Sequence, residues 1–418
     1  MKSFIPLIKS EWRLLLFGFA MTFSSSLGQT YFIALFSGEI RADLGLSHGD
    51  FGAVYSLATL ASAVLLLWTG SLVDRMDLRH FSYLVIVGLA LGCALLAGSD
   101  TVIMLFIAIL VLRHLGQGLM SMAGATAMVR YLDHHKGKAN ALSGIGYSAS
   151  EAILPAIVVA MLLWLNWREA WWLWALILVL TLPLLVSRLL RNQSQRHEDY
   201  LAELNQQQAS TPAGDSARQR QWTRDEVIRD PLFYLFMPVL LAQPMLFTGF
   251  MFHQVHLVET KGWSLTVWGS LYTLYAITSS VMKLVTGLLV DRFGAIRLVP
   301  LIGIPFGIGL IILASADSLV VAVLFMMLMG VTVGSYATLS SPFFAEMYGT
   351  LHLGSIKSVT TAAMVFASAI APVLMGWLID DGVSMEAMAV GSVLYLVIAA
   401  LMAAAAYRRK CRGDVSAG

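Results

Sequence analysis

The chain has 418 residues, of which 58% are hydrophobic and only 12% charged, about half the charged share of an ordinary soluble domain. That balance reads as an integral membrane protein, and a net charge of +2 dispersed between apolar runs offers no basic face to a nucleic acid. The two cysteines, Cys93 in an apolar run and Cys411 in a basic tail, suit neither a disulfide framework nor a metal cluster.

About 20 mostly apolar residues carry a helix across the hydrocarbon core. Runs of that kind fall at 14–37, 50–73, 81–98, 102–127, 141–164 and 170–190, and again at 232–257, 265–290, 298–315, 319–344, 358–379 and 386–407. Lys2, Lys9 and Arg13 precede the first run and no small-residue cleavage site follows it, so it is expected to be a retained span and not a signal peptide. Of the 27 Lys and Arg, only Arg41, Arg168 and Lys261 fall in outer loops, and only Arg113 and Lys283 lie deep within spans, Arg188 standing at the cytoplasmic end of the sixth. The positive-inside rule then puts both termini and the central loop in the cytoplasm. The expected fold is an all-α membrane protein of twelve transmembrane helices: a six-helix bundle over 1–190, a linker over 191–230, and a second bundle with a short basic tail over 231–418. Most of the linker, including NQQQASTPAGDSARQRQ, has the composition of a flexible connector. Its end differs, because Thr223 followed by Glu226 has capping-box spacing and predicts a short surface helix leading into Pro231.

The halves are related. Gly70 to His80, GSLVDRMDLRH, returns as GLLVDRFGAIRL from Gly287 to Leu298, and at this offset of 217 residues 12 of the 25 positions from Phe51 to Arg75 are identical. Tyr131 falls on Tyr348 and Pro155 on Pro372 at the same offset. Twelve spans, a long central loop and a Gly-x-x-x-Asp-Arg signature in both the 2–3 and 8–9 loops resemble the major facilitator superfamily. The first copy carries Gly70, Asp74, Arg75 and Arg79, with Asp77 where the family pattern usually has Gly; the second carries Gly287, Asp291, Arg292, Gly294 and Arg297. LRHLGQGL, Leu112 to Leu119, is similar to the family's fourth-helix motif. The resemblance implies two six-helix halves and a substrate site at the bilayer midplane between them. Asp74 and Asp291, each beside an arginine, are expected to latch neighbouring helices in one state and release them in the other. Lys283, four residues before Gly287, resembles the eighth-helix Arg of the monocarboxylate and oxalate:formate branch, which implies a substrate carboxylate. Lysine keeps the charge without the bidentate fork, and helix eleven offers only Lys357 at its mouth, which argues against a doubly clamped dicarboxylate.

Charges inside a bilayer are costly and mark function by default; here they are Arg113, Glu151 and Lys283. Glu151 is the expected proton-titrating group, with Arg113 as its partner; a permanent structural bridge is the alternative. Lys283 is the expected anion contact, the alternative being a side chain that snorkels to the membrane surface. Ser24, Ser25, Ser26, Gln29 and Tyr31 in span one, Gln243 between Pro238 and Pro244 in span seven, and Ser335, Tyr336, Thr338 and Ser340 in span ten are expected to line the path, as are Tyr147, Tyr272 and Tyr275. Each could equally serve helix packing. His253, His256 and Glu259 imitate a metal site by spacing, but solvated histidines at the outer mouth are the better reading, and no metal or other cofactor is expected. Nothing resembles a metalloprotease helix, a nucleophile elbow or a Walker loop, so an enzyme is not expected. The expected function is proton-coupled or exchange transport of a small organic anion, by a monomer in a bacterial inner membrane. An exporter of drugs or metabolites is the alternative, and a transporter-like receptor or scaffold is the third reading.

Overall fold

Spans two to twelve form where the apolar runs place them. In the computed structural model, which describes residues 5–132, 136–191, 221–349 and 352–416, eleven helices from His48–Thr69 to Met385–Cys411 are long and apolar enough to cross a membrane. Span one is the twelfth, and it is not one helix. Ile5–Ser24 gives way to a 3-10 turn, Ser25–Gly28, followed by Thr30–Ala34 and Ser37–Leu44. At the break the Ser25 hydroxyl donates back to the Thr22 carbonyl at 2.7 Å, competing with the helical ladder, and Gln29 is extended at φ −83, ψ 151.

Three other spans are also interrupted, span nine by a 3-10 turn, Val299–Leu301, between Ala295–Leu298 and Ile304–Ser315. Span four runs as Val102–Leu112, a π turn over Arg113–Met120, and Ser121–Tyr131. Span seven passes through Pro238 and Pro244 but ends at Phe252, and a separate helix, Gln254–Thr260, continues beyond His253. Helix starts follow their capping chemistry: Asn166 and Glu169 cap span six reciprocally, and Thr223 and Glu226 do the same for the predicted linker helix, Arg224–Arg229.

The chain gathers into two units, Met1–Gly45 with Leu57–Asp215, and Leu46–Ser56 with Ser216–Gly418. In the first, span one packs on span five and span three on span six; Thr22 Oγ1 donates to the Ser143 carbonyl at 2.6 Å between the first pair. In the second, span eight packs on ten and seven on eleven. The end of the linker belongs to this second core. Val227 is buried among Phe233, Phe236, Phe343 and Tyr348, a burial that contributes about 1.5 to 3 kcal/mol. The Trp222 amide donates to the Tyr348 carbonyl and the Tyr348 hydroxyl to Asp230 Oδ2, both at 3.0 Å. Residues 192–220 of the predicted connector lie outside the described residues.

Candidate substrate and coupling site

In the first unit, polar chemistry collects at the break in span one. Gly28 and Gly116 meet backbone to backbone: a Cβ on Gly116 would stand 2.9 Å from Gly28 Cα, and one on Gly28 would strike Leu112 O and, at 2.7 Å, Gln117 N. Only glycine at both positions lets the 3-10 turn lie against the π turn. The π turn carries Arg113, which is 4% exposed. Its Nη1 donates to the Gly28 carbonyl at 3.1 Å and lies 3.4 Å from Thr30 Oγ1, so the cation sits on backbone that the break has released from the helical ladder. Across from it, on span five, Ser150 Oγ lies 2.5 Å from Ser26 Oγ and receives the Tyr31 hydroxyl at 3.5 Å. Tyr147 reaches Ser25 and Ser121, and half-buried Glu151 is close enough to act electrostatically on both phenols. Five of the expected residues, Tyr31, Arg113, Tyr147, Glu151 and half-buried Gln29, therefore surround one discontinuity.

The second unit differs. Gln254, just past the break in span seven, is fully buried, and its Oε1 accepts from Trp268 Nε1 at 2.9 Å and from the Tyr272 hydroxyl at 2.7 Å. Tyr272 thus spends its hydroxyl inside the protein. Tyr275 is buried beside it, its ring stacked with Phe247, and Gln243 is half-buried. His253 corrects the expectation of a solvated side chain: it is 3% exposed and its Nε2 donates to the Pro372 carbonyl at 2.8 Å. His256 is half-buried with its ring 4.4 Å from that of His48, and Glu259 is exposed. Lys283 is half-buried on span eight, where its carbonyl accepts from Thr338 Oγ1 at 3.2 Å; near it Thr286 donates to Ser335 at 3.0 Å, and Tyr336 donates to Met364 Sδ at 3.1 Å. Lys357 Nζ donates to Ser341 Oγ at 2.5 Å.

The two motif copies are built differently as well. Leu72–Arg75 is a short helix after Gly70, and the side chains of Asp74 and Arg75 lie outside the described residues. Arg79 Nε donates to the Tyr83 hydroxyl at 3.1 Å. In the second copy span eight continues to Phe293, so Asp291 and Arg292 are exposed on its last turn. Arg292 and Arg297 both lie over the Phe293 ring, at 5.2 and 5.8 Å. A Cβ on Gly287 would meet open space.

A family model of the Major Facilitator Superfamily matches residues 18–263 and 245–414. The chain belongs to that superfamily. It is a multi-pass membrane transporter of small molecules, not an enzyme, and solved structures share its fold. A nucleoside transporter, NupG, matches with a TM-score of 0.70 at 13% identity, over 95% of this chain and 98% of its own. A bacterial homologue of the human lysosomal transporter Spinster, in its inward-facing, occupied form, matches with a TM-score of 0.66 at 14% identity, over 96% of each chain. No curated protein sequence matches the chain.

Several residues that shape the transporter's interrupted spans were not singled out by sequence reasoning. Ser150 sits in GYSASE, a run with no marker apart from its hydroxyls, and Gln254 is legible in the sequence only as a polar residue between His253 and His256 toward the outer end of span seven, with no role attached. His114, in the fourth-helix motif, is 9% exposed and joins span four to span two, with Nδ1 3.3 Å from the Ser62 carbonyl and Nε2 3.1 Å from Thr69 Oγ1. Its position in LRHLGQGL, one residue from Arg113, was the available signal.

Proposed function

We propose that this transporter moves a small organic anion, a carboxylate, coupled to protons or by exchange, working as a monomer in a bacterial inner membrane with both termini cytoplasmic. The observation that carries the reading is Lys283: a cation held half-buried within a membrane span, on a face where spans eight and ten are joined through the hydroxyls of Thr286, Ser335 and Thr338. Charge placed there is costly and marks a functional candidate by default, and hydroxyls orient an anion without competing for the cation's charge. Glu151 beside Tyr31 and Tyr147 supplies a carboxyl for the coupled proton. That same cluster favours a second reading, a proton-coupled exporter of drugs or metabolites.

A thermal-shift screen of the detergent-purified protein against carboxylates, nucleosides, sugars and cationic drugs separates the two. The best carboxylate should stabilise wild type and lose about 10- to 150-fold in affinity in Lys283→Gln, the equivalent of one charge-assisted hydrogen bond of about 1.5 to 3 kcal/mol. Lys283→Arg should keep part of the response, and the neutral amide of the same acid should give none. An equal shift in wild type and Lys283→Gln, or a best ligand that is cationic, would rank the exporter first.

A further inference from the structure

We propose that Arg168 and Lys261 are positioning residues, each pinning the far segment of its unit's interrupted span to two neighbouring loops, so that bending is confined to the breaks before that segment, at Ser25–Gln29 and Leu35–Phe36 in the first unit and at His253 in the second. In the first unit the pinned segment is Ser37–Leu44. Arg168, in the first turn of span six, places Nε and Nη2 on Asp43 at 3.1 and 3.0 Å, Nη2 also on Asp100 at 3.1 Å, and Nη1 on the carbonyls of Ala97 and Ser99 at 3.0 and 2.8 Å. Those contacts occupy the full set of guanidinium N–H donors. Trp167 adds its amide to Glu39 at 3.0 Å and its indole Nε1 to Asp43 at 3.2 Å, so the segment is held at two points a turn apart.

In the second unit the pinned segment is Gln254–Thr260, and Lys261 caps its end. Lys261 Nζ reaches Asp317 Oδ1 and Glu386 Oε1, each at 2.6 Å, and the Ala316 carbonyl at 3.4 Å. Three acceptors meet the three donors of an ammonium, and the side chain is only 1% exposed. Trp263 Nε1 donates to the Asp317 carbonyl at 2.6 Å.

The duplication shows what has been kept. At the offset of 217 residues Ser99–Asp100 falls on Ala316–Asp317, and in both units that loop supplies the same pair of acceptors, a backbone carbonyl and the following carboxylate. The other two loops have exchanged signs. In the first unit the acid Asp43 follows span one and the cation comes from the 5–6 loop; in the second the cation Lys261 follows span seven and the acid Glu386 comes from the 11–12 loop, each one residue out of register. Residue identity changed and the three-way tie did not. The tie also accounts for two of the three cations that run against the positive-inside pattern.

Hydrogen–deuterium exchange on the purified full-length protein tests this without any substrate, so its failure is separate from failure of the anion reading. Lys261→Gln should raise exchange at least about tenfold in 254–260 while leaving span one as in wild type; Arg168→Gln should do the converse in 37–44. Lys261→Arg should restore protection. So should the double variant Lys261→Glu with Glu386→Lys, which rebuilds the second tie with the first unit's polarity. If exchange in 254–260 is unchanged in Lys261→Gln, or rises evenly over the whole second unit, or if the exchanged pair fails where Lys261→Arg succeeds, the positioning role is wrong.

Discussion

In the first unit the broken span is held by a charge: Arg113 lies on the carbonyl that the break exposes, and Glu151 stands near the phenols of Tyr31 and Tyr147. In the second the break in span seven, which falls on Phe36 at the 217-residue offset and not on Ser25–Gln29, is held by neutral groups, His253 on the Pro372 carbonyl and Gln254 between Trp268 and Tyr272. The two related halves thus interrupt their first spans at different positions and in different electrostatic settings. An amide accepting two hydrogen bonds keeps its geometry at any physiological pH. A carboxylate can change its charge by taking up a proton, and its neighbours then feel a different field. Under the proposed function the first unit carries the coupled proton and the second gives a rigid frame to substrate contacts.

The largest expected effect breaks that assignment if it is wrong. Glu151→Gln imitates the protonated carboxyl, so gradient-driven uptake of the best-binding carboxylate into proteoliposomes should be abolished while its exchange across the membrane survives. Tyr272→Phe, which removes one hydroxyl from Gln254, should leave both modes working and cost about 0.5 to 1.5 kcal/mol of stability. If Glu151→Gln instead fails to accumulate as folded protein, Glu151 is half of a structural pair whose loss leaves a buried cation exposed to a penalty of about 3 to 5 kcal/mol.

What could be foreseen from sequence was what depends on nearby residues. Span positions follow from the length of apolar runs, and the Arg224–Arg229 helix from a capping box contained within four residues. The break in span one was hidden because Ser24 to Gln29 reads only as a polar patch in an apolar run. What fixes it is Gly28 meeting Gly116, a glycine from another helix. His253 looked solvated because its burial depends on span eleven. Arg168 and Lys261 were visible only as topological exceptions, since the two acids that each one joins come from separate loops far apart in sequence.

The motif loops carry a second exchange of chemistry, with a middle-sized test. Asp77, the departure from the family pattern, caps the start of span three: its Oδ1 accepts from the amides of Arg79 and His80 at 2.9 and 3.3 Å. At the matching position, 217 residues on, stands Gly294, with no side chain to cap span nine. There Glu346 of span ten reaches across, its Oε2 accepting from the amides of Ala295 and Ile296 at 2.6 and 3.1 Å. Asp77→Ala and Glu346→Ala should each cost about 1 to 2 kcal/mol of stability, read as lowered melting temperatures. Gly294→Asp should not rescue Glu346→Ala. Gly294 sits at φ 78, ψ 152, a region open essentially to glycine alone, and its Cβ would meet Glu346 Oε1 at 2.5 Å. A full rescue would mean that the backbone relaxes to the first copy's geometry and that the two loops are interchangeable.

The smallest expected effect separates the two ties by pH. The guanidinium of Arg168 keeps its charge throughout the usable range, whereas Lys261 can lose its own. Burial alone would push the Lys261 ammonium down, but its hydrogen bonds to Asp317 and Glu386 more than offset this and hold it above its ordinary value of 10.5. A raised value in the folded state means that folding is favoured by the bound proton, so the contribution is complete below about pH 10.5 and fades as pH rises through the folded value. Asp317 and Glu386 are 69% and 37% exposed, so each pair contributes on the order of 1 kcal/mol or less. The gap in melting temperature between wild type and Lys261→Gln should therefore be constant from neutral pH to about pH 10 and close above that. The gap between wild type and Arg168→Gln should stay open across the same range. If both gaps close together, the alkaline loss belongs to the fold at large, and the charge on Lys261 is not what holds Gln254–Thr260 in place.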